Sequence, residues 1–349
     1  MHHTRRLACL IAAIVLLPPA GAVEAADRAP VRVGILGLDN YQVVEYAQMF
    51  NNPKADGDLA GLRVVAAYAG TPSSDIPESV ASHPKWKEAI ARLDIKFVES
   101  VEELLKRCDA VIIGSLDGRK HVKEAIAVLE AKKRLYIARP LGASLADVEA
   151  IMRVAEETKT PFFSCSQHRF SPGFIGMRNH PEVGKVFGCD VYGGCLTEPH
   201  HAELYWHGLH GIETLYTIMG PGCETVRCTS TPYSEFITAE WKDGRVGTFR
   251  GIKKGAIKYS ATVFGDKGVS TAGIYGHGVP VKGVVPTNDK YMGYEGLAIE
   301  MAKFFKGGPP PVSAAETLEI FAFMEAAHES KRQNGAAVAV ADIMKKIRK

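Results

Sequence analysis

The sequence predicts an α/β protein: a Rossmann-type doubly wound parallel sheet followed by an α/β unit whose open sheet is mostly antiparallel. Two observations carry this. From Val31 to about Ser166, short β-branched or apolar runs alternate with helical patterns. After Ser171-Pro172 the chain turns into successive strands punctuated by glycines. The length suits two domains, each with its own core. Their boundaries are read as 31–165 and 166–349, behind a leader at 1–26.

In the first part the strands are VRVGIL, LRVVAAYA, DAVIIG, RLYIA and PFFSC, each bounded by turn residues. Helical patterns at 118–133 and Leu145–Thr158 lie between them. Ser100 with Glu103, and Ser144 with Asp147, are capped helix starts. Repeated β-α-β units imply a parallel sheet with right-handed crossovers. In the second part VFGCDVYGG, ETVRCTST, EFITAEW, RVGTFRG, YSATVFG and GVSTAG read as strands, with turns at Asp243-Gly244 and Gly265-Asp266. A helix from about His207 to Met219 ends in Gly220-Pro221-Gly222. Helices at Tyr294–Phe305 and Ala314–Arg332 are expected to pack back on the first domain.

Arg5 and Arg6 precede an apolar run, Leu7 to Leu17, followed by Pro18, Pro19 and small residues around Ala20, Ala22, Ala25 and Ala26. A charged start, a short apolar stretch and an A-x-A-like end make a bacterial secretory signal. At about eleven apolar residues it is too short to span a bilayer. The expectation is export to the periplasm or beyond, with cleavage between Ala22 and Ala26; Thr4-Arg5-Arg6 also permits twin-arginine export. Cleavage lowers the net charge from +3 to about +2, and no basic block remains, which argues against nucleic acid as the main partner. The mature chain keeps Cys108, Cys165, Cys189, Cys195, Cys223 and Cys228 without a C-x-x-C. One disulfide, Cys223 with Cys228 or Cys189 with Cys195, is open, as is burial of all six as thiols.

The order VRVGILGLD, ARPLGASLADVEAI, QHRFSP, HGLHGIETLYTIMG and AAETLEIFAFMEAAHESKRQNG resembles the Gfo/Idh/MocA family, named for glucose–fructose oxidoreductase and inositol dehydrogenase. The resemblance covers nearly all of the mature chain. It implies a Rossmann domain, an α/β domain whose open sheet often mediates homo-oligomers, and NAD(P)-linked chemistry at a ring hydroxyl of a sugar or cyclitol. The cofactor-facing residues it implies are Gly34, Gly37, Asp39, Arg139 and Pro140; the catalytic ones are His210 and Arg139, with His207 and Glu213 as candidate acids or bases.

Several positions depart from that pattern. A dinucleotide fingerprint needs glycines for a tight turn and for close approach to the pyrophosphate. Gly37 fills the first position, but Asp39 and Gln42 stand at the second and third. Facing a pyrophosphate, an anionic Asp39 would be repelled. The strand expected to end in a ribose-binding acid ends Tyr68-Ala69-Gly70, with Asp75 a little further on. The family's Glu-Lys-Pro is Ala138-Arg139-Pro140, so a fixed cation replaces a proton-sharing lysine. The Asp four residues before the family's histidine is Trp206, and Glu213 replaces the Asp that follows it.

The histidines admit a different chemistry. If 198–203 is a strand, Glu198 and His200 point one way, and His201 and Glu203 the other. Glu198 and His200 could then converge with His210 on a divalent metal such as zinc, an imidazole–carboxylate set able to polarise a carbonyl. The alternative is that these residues line a sugar pocket. His168 is a candidate for the same cleft, Arg169 for an ion pair, and His277 for an exposed loop. Trp206, Tyr205 and Tyr216 could stack on a sugar, though core positions are commoner. Lys253 and Lys254 read as a solvated sheet edge. Three functions are therefore open: NAD(P)-linked sugar oxidoreduction, a cofactor-independent metal-assisted lyase or hydrolase on glycosides or keto-sugars, and non-catalytic sugar binding.

Overall fold

The computed structural model describes residues 29–273 and 293–347; residues 1–26, read above as a leader, and His277 lie outside them. Six strands, β1 (Val31–Leu36), β2 (Leu62–Tyr68), β3 (Lys96–Phe97), β4 (Ala110–Ile113), β5 (Arg134–Ile137) and β6 (Phe162–Ser164), form one parallel sheet in the order 3-2-1-4-5-6. Helices α1 (Gln42–Phe50), α2 (Pro77–Ala91), α3 (Val101–Arg107), α4 (Gly118–Glu130) and α5 (Leu145–Thr158) connect them. Near-continuous apolar runs such as Ala110–Ile113 are buried on both faces, as a helix-covered parallel sheet requires. The Ser144–Asp147 box closes reciprocally at the start of α5. At α3 the Ser100 hydroxyl accepts from the Glu103 N–H, while the Glu103 carboxylate takes the N–H of Glu99.

The order reverses between β1 and β4, so the loops after those strands diverge into the crevice where such sheets usually bind ligands. Gly37 leaves β1 at φ +86°, a conformation glycine adopts without strain. A side chain there would meet the Ser115 backbone nitrogen at 2.6 Å.

A short turn (Gln167–Phe170) and α6 (Pro172–Ile175) lead to the second sheet. It comprises β7 (Val186–Gly194), then α7 (Leu209–Met219), then β8 (Cys223–Ser230), β9 (Ser234–Trp241), β10 (Val246–Ile252), β11 (Ser260–Gly265) and β12 (Val269–Gly273). Helices α8 (Gly293–Phe305) and α9 (Ala314–Arg332) follow, then β13 (Val338–Ala339) and α10 (Val340–Ile347). The order is 12-11-7-10-9-8-13, antiparallel except for the β7–β10 pair. α8 lays Leu297, Met301 and Phe304 into the core shared with β1 and α1, whereas α9 packs mainly along β8 and α10, with α5 and α7 also against it. Among the described residues no helix is long and apolar enough to cross a membrane.

Every residue of α7 is buried. It lies between the second sheet and α9, and Gly211 brings it hard against β10, where a β-carbon would meet the Phe249 ring at 2.0 Å. Polar side chains on such a helix must find partners inside the protein. This decides what His210 and Glu213 can do.

The six described cysteines are free and buried, so neither open disulfide forms. Lys253 corrects the solvated-edge reading: it ion-pairs with buried Glu235. Tyr205 and Tyr216 are core residues whose hydroxyls meet Glu325 and Glu319.

Candidate active site

The junction turn and α7 build the cleft together. Ser166 Oγ lies 2.6 Å from His210 Nδ1 and accepts the His168 backbone N–H at 3.1 Å. Among the described residues the Ser166 hydroxyl hydrogen has no acceptor other than Nδ1, so it donates there and leaves the proton of His210 on Nε2. His168 stacks on His210 at 4.5 Å between ring centroids and meets Tyr259 edge-on at 4.5 Å. His207 stands 6.2 Å from His210, within a π-helical turn (Leu204–Gly208) rather than on α7 itself.

Arg139, at the end of β5, donates to the Trp206 carbonyl at 3.2 Å and lies 5.8 Å from that indole ring. Its Nε, with Nδ1 of His168 and of His207, is buried without a hydrogen-bond partner among the described residues. Burial and then Arg139 push His168 and His207 down to about 3; burial, His168 and Arg139 hold His210 well below the usual imidazole range. At neutral pH the cleft therefore presents three uncharged imidazoles beside one fixed cation.

These depressed values make stability depend on pH. The unfolded rings take up protons near pH 6.5 while the folded ones stay neutral to about pH 3 for His168 and His207. Their contribution is complete above pH 6.5 and is lost as pH falls toward the folded values, each ring by up to about 1.4 kcal/mol per unit. Glu213, raised by burial, works in the opposite sense at the acid end. The unfolding midpoint should drop between pH 7 and pH 5, and His168→Gln should flatten that slope. Equal midpoints at the two pH values would refute the buried-neutral assignment.

Glu213 is not a free acid or base. Its carboxylate receives Arg169 Nη1 at 2.7 Å, and Arg169 also bonds Glu316. Burial pushes the Glu213 carboxyl up, and Arg169 and the Ser166 N–H pull it back. Trp206 is buried, so its indole supports Arg139 and His201 instead of offering a stacking face.

The proposed metal triad does not assemble. Residues 195–200 form no strand, so the alternation expected of them does not apply. Glu198 instead bonds both neighbours, His200 Nδ1 and His201 Nδ1, each at 2.6 Å. His210 is committed to Ser166, and among the described residues no group of three His, Cys, Asp or Glu side chains could hold a metal. Glu203 pairs with Lys331.

At the switch-point crevice, Asp39 turns inward rather than toward a ligand. Its carboxylate accepts the Leu116 N–H at 2.8 Å and the Ser79 hydroxyl at 2.5 Å. Ser73, after β2, donates to Asp117, after β4, at 2.6 Å. Arg119 joins Asp117 to Asp75 through bonds of 2.7 to 3.0 Å, and Lys120 reaches the Thr71 carbonyl. The loops of β2 and β4, which flank β1, are thus clasped over its end. His201 Nε2 accepts the Gly118 N–H at 3.0 Å, and His200 lies 3.2 Å from Asp75.

Sequence reasoning singled out Asp39, Asp75 and Glu198 but missed Ser73, Ser79, Asp117, Arg119 and Ser166. Only the Asp-Gly-Arg after β4, a helix-capping signal, could have pointed to any of them.

A dinucleotide needs open space over β1, free N–H groups at the start of α1 and an acid at the end of β2. Here the space is bridged, Asn40 Oδ1 takes the Gln42 N–H, and Asp75 is bonded by Arg119. Gly34 is mid-strand packing, where a β-carbon would meet Cys108 Sγ at 2.9 Å. Asn40 Nδ2 and Gln42 Oε1 alone lack partners at this turn among the described residues. The residues present do not fit a dinucleotide laid across the crevice in the usual way.

A parallel 3-2-1-4-5-6 sheet joined to an open mixed sheet is a two-sheet α/β architecture with a Rossmann-type first half. Residues 31–165 match the Gfo/Idh/MocA oxidoreductase family, described as an NAD-binding Rossmann fold. The match spans the first sheet and its connecting helices. Among solved structures, myo-inositol 2-dehydrogenase from Lactobacillus plantarum is 16% identical with a TM-score of 0.69, covering 89% of this chain and 99% of that one. An Agrobacterium radiobacter oxidoreductase, solved with NAD+, L-tartaric acid and magnesium, is 15% identical with a TM-score of 0.67, covering 90% and 100%. The 4-carboxy-2-hydroxymuconate-6-semialdehyde dehydrogenase of a Sphingobium strain is 26% identical over 150 residues, which is 43% of this chain and 39% of that protein. The chain thus matches well under half of that relative's length.

Proposed function

We propose that this chain is an exported carbohydrate-processing enzyme that moves protons at a ring hydroxyl, or at the keto group in its place, of a sugar or cyclitol. One observation carries the reading: Arg139, His168 and His207 hold unpartnered buried nitrogens in one cleft beside His210. Arg139 supplies the counter-charge for a substrate oxygen that gains negative charge, and the Nε2–H of His210 donates to such an oxygen. A neutral His168 or His207 offers an acceptor nitrogen to the departing proton, although burial and Arg139 make each a weaker base than a free imidazole. With Glu213 occupied by Arg169, the described residues of the cleft do not offer the free carboxylate pair that glycoside hydrolysis ordinarily uses.

Two reactions share this proton step. Elimination or isomerisation of a keto-sugar needs no dinucleotide: an imidazole takes the proton beside the carbonyl, and the electron pair moves to the oxygen held by Arg139. The clasped crevice favours it. NAD(P)-linked oxidation of the hydroxyl is the second reading, favoured by the family's NAD-binding fold and by a neighbour solved with NAD+. Export rests on the leader at 1–26, and pairing of copies on the open sheet face, which exposes Phe187, Tyr192, Val246 and Val269.

The test is NMR of the mature chain with a panel of sugars, cyclitols and keto-sugars, with and without NAD(P)+. Product without nucleotide supports the first reaction, and product only with it the second. Bound sugar without product would make the chain a sugar-binding protein and end the enzymatic reading.

A further inference from the structure

We propose that the polar clasp over β1 has replaced the dinucleotide, so that the Rossmann half of this chain is a scaffold that positions the histidine cleft without a nicotinamide cofactor. It rests on the crevice alone; it agrees with the first of the two reactions proposed above and excludes the second. Asp39, Ser73, Ser79, Ser115 and Asp117 are all buried there, and each side chain is bonded to the protein.

The substitutions are coherent. A fingerprint glycine became an aspartate whose two oxygens tie the β1 turn to the β4 loop and to α2. The β2 loop bears Asp75, bound by an arginine from the β4 loop. The remaining N-terminal donors of α4 meet Asp117 and His201. Opening the clasp for a cofactor would break these bonds together and leave the Asp39 and Asp117 carboxylates against the incoming pyrophosphate.

The clasp also reaches the cleft. His201 is held by Gly118 and Glu198, its ring lies 4.8 Å from Trp206, and the Trp206 carbonyl fixes Arg139. Residues 198–201 thus carry the order of the crevice into the place where the substrate would sit. His201 lies two contacts from Arg139.

The experiment uses the mature full-length chain as purified. Native mass spectrometry should show no nucleotide increment, and NAD+, NADH, NADP+ and NADPH at about 1 mM should not raise the unfolding midpoint. Hydrogen exchange should find the Leu116 and Gly118 amides protected without nucleotide and unchanged by it. Asp117→Asn should accelerate exchange at both amides at least tenfold. A co-purified dinucleotide, a midpoint rise of several degrees with any of the four, or protection that develops only after one is added would overturn the proposal. So would an Asp117→Asn protein with unaltered exchange.

Discussion

Arg169→Met is expected to lower the unfolding midpoint by on the order of 10 °C, the largest stability loss of any single substitution considered. The guanidinium is nearly inaccessible and bridges Glu213 on α7 to Glu316 at the start of α9. Removing it leaves a fully buried carboxylate facing no cation, a change that typically costs about 3–5 kcal/mol. Glu213 can escape by taking up a proton, so the loss should shrink as pH falls. The double variant Arg169→Met/Glu213→Gln should regain a substantial part, because a neutral amide needs no counter-charge. A single variant that melts within about 2 °C of the parent would show that the bridge contributes no net stability.

His210→Ala is expected to reduce turnover by about 10²–10⁴-fold on whichever substrate the panel reveals, the usual range for a positioned acid–base group. Circular dichroism should show the variant folded, since Ser166 loses one partner but keeps the His168 N–H. Ser166→Ala tests the tautomer. Without the hydroxyl, either nitrogen of His210 can carry the proton, and turnover should fall by roughly tenfold, about the worth of one hydrogen bond. Its pH–rate profile should shift as well. A Ser166→Ala enzyme with parental rates and profile would mean that the hydroxyl does not orient His210.

The strands and helices were legible because local signals governed them. The alternation of apolar runs and turns gave the parallel sheet, and Ser144 with Asp147 marked a helix start that closes as a capping box. The site was less legible because its partners are remote. Asp39 read as repelling a pyrophosphate, yet its partners lie 40 and 77 residues away, beyond any local pattern. Glu198 and His200 read as alternating ligands, but their segment folds as a turn that brings His201 to the same carboxylate. Glu213 read as a candidate acid because nothing in 209–219 reveals that α7 is enclosed on all sides. His168 and Arg169 were assigned correctly to the cleft and to an ion pair, since the junction sequence fixes where the chain leaves the first sheet.

The six buried thiols carry a consequence for the life of the molecule. Burial pushes Cys108 up to about 11 and Cys195 and Cys228 up to about 12, so the folded chain offers almost no thiolate to an oxidant. Unfolding exposes all six at once at ordinary acidity. Were the chain exported, as proposed above, into oxidising surroundings, scrambled cross-links would then trap it before it could refold. Its lifetime there would be set by how rarely it opens, a rate rather than an equilibrium, with all six thiols buried until it does.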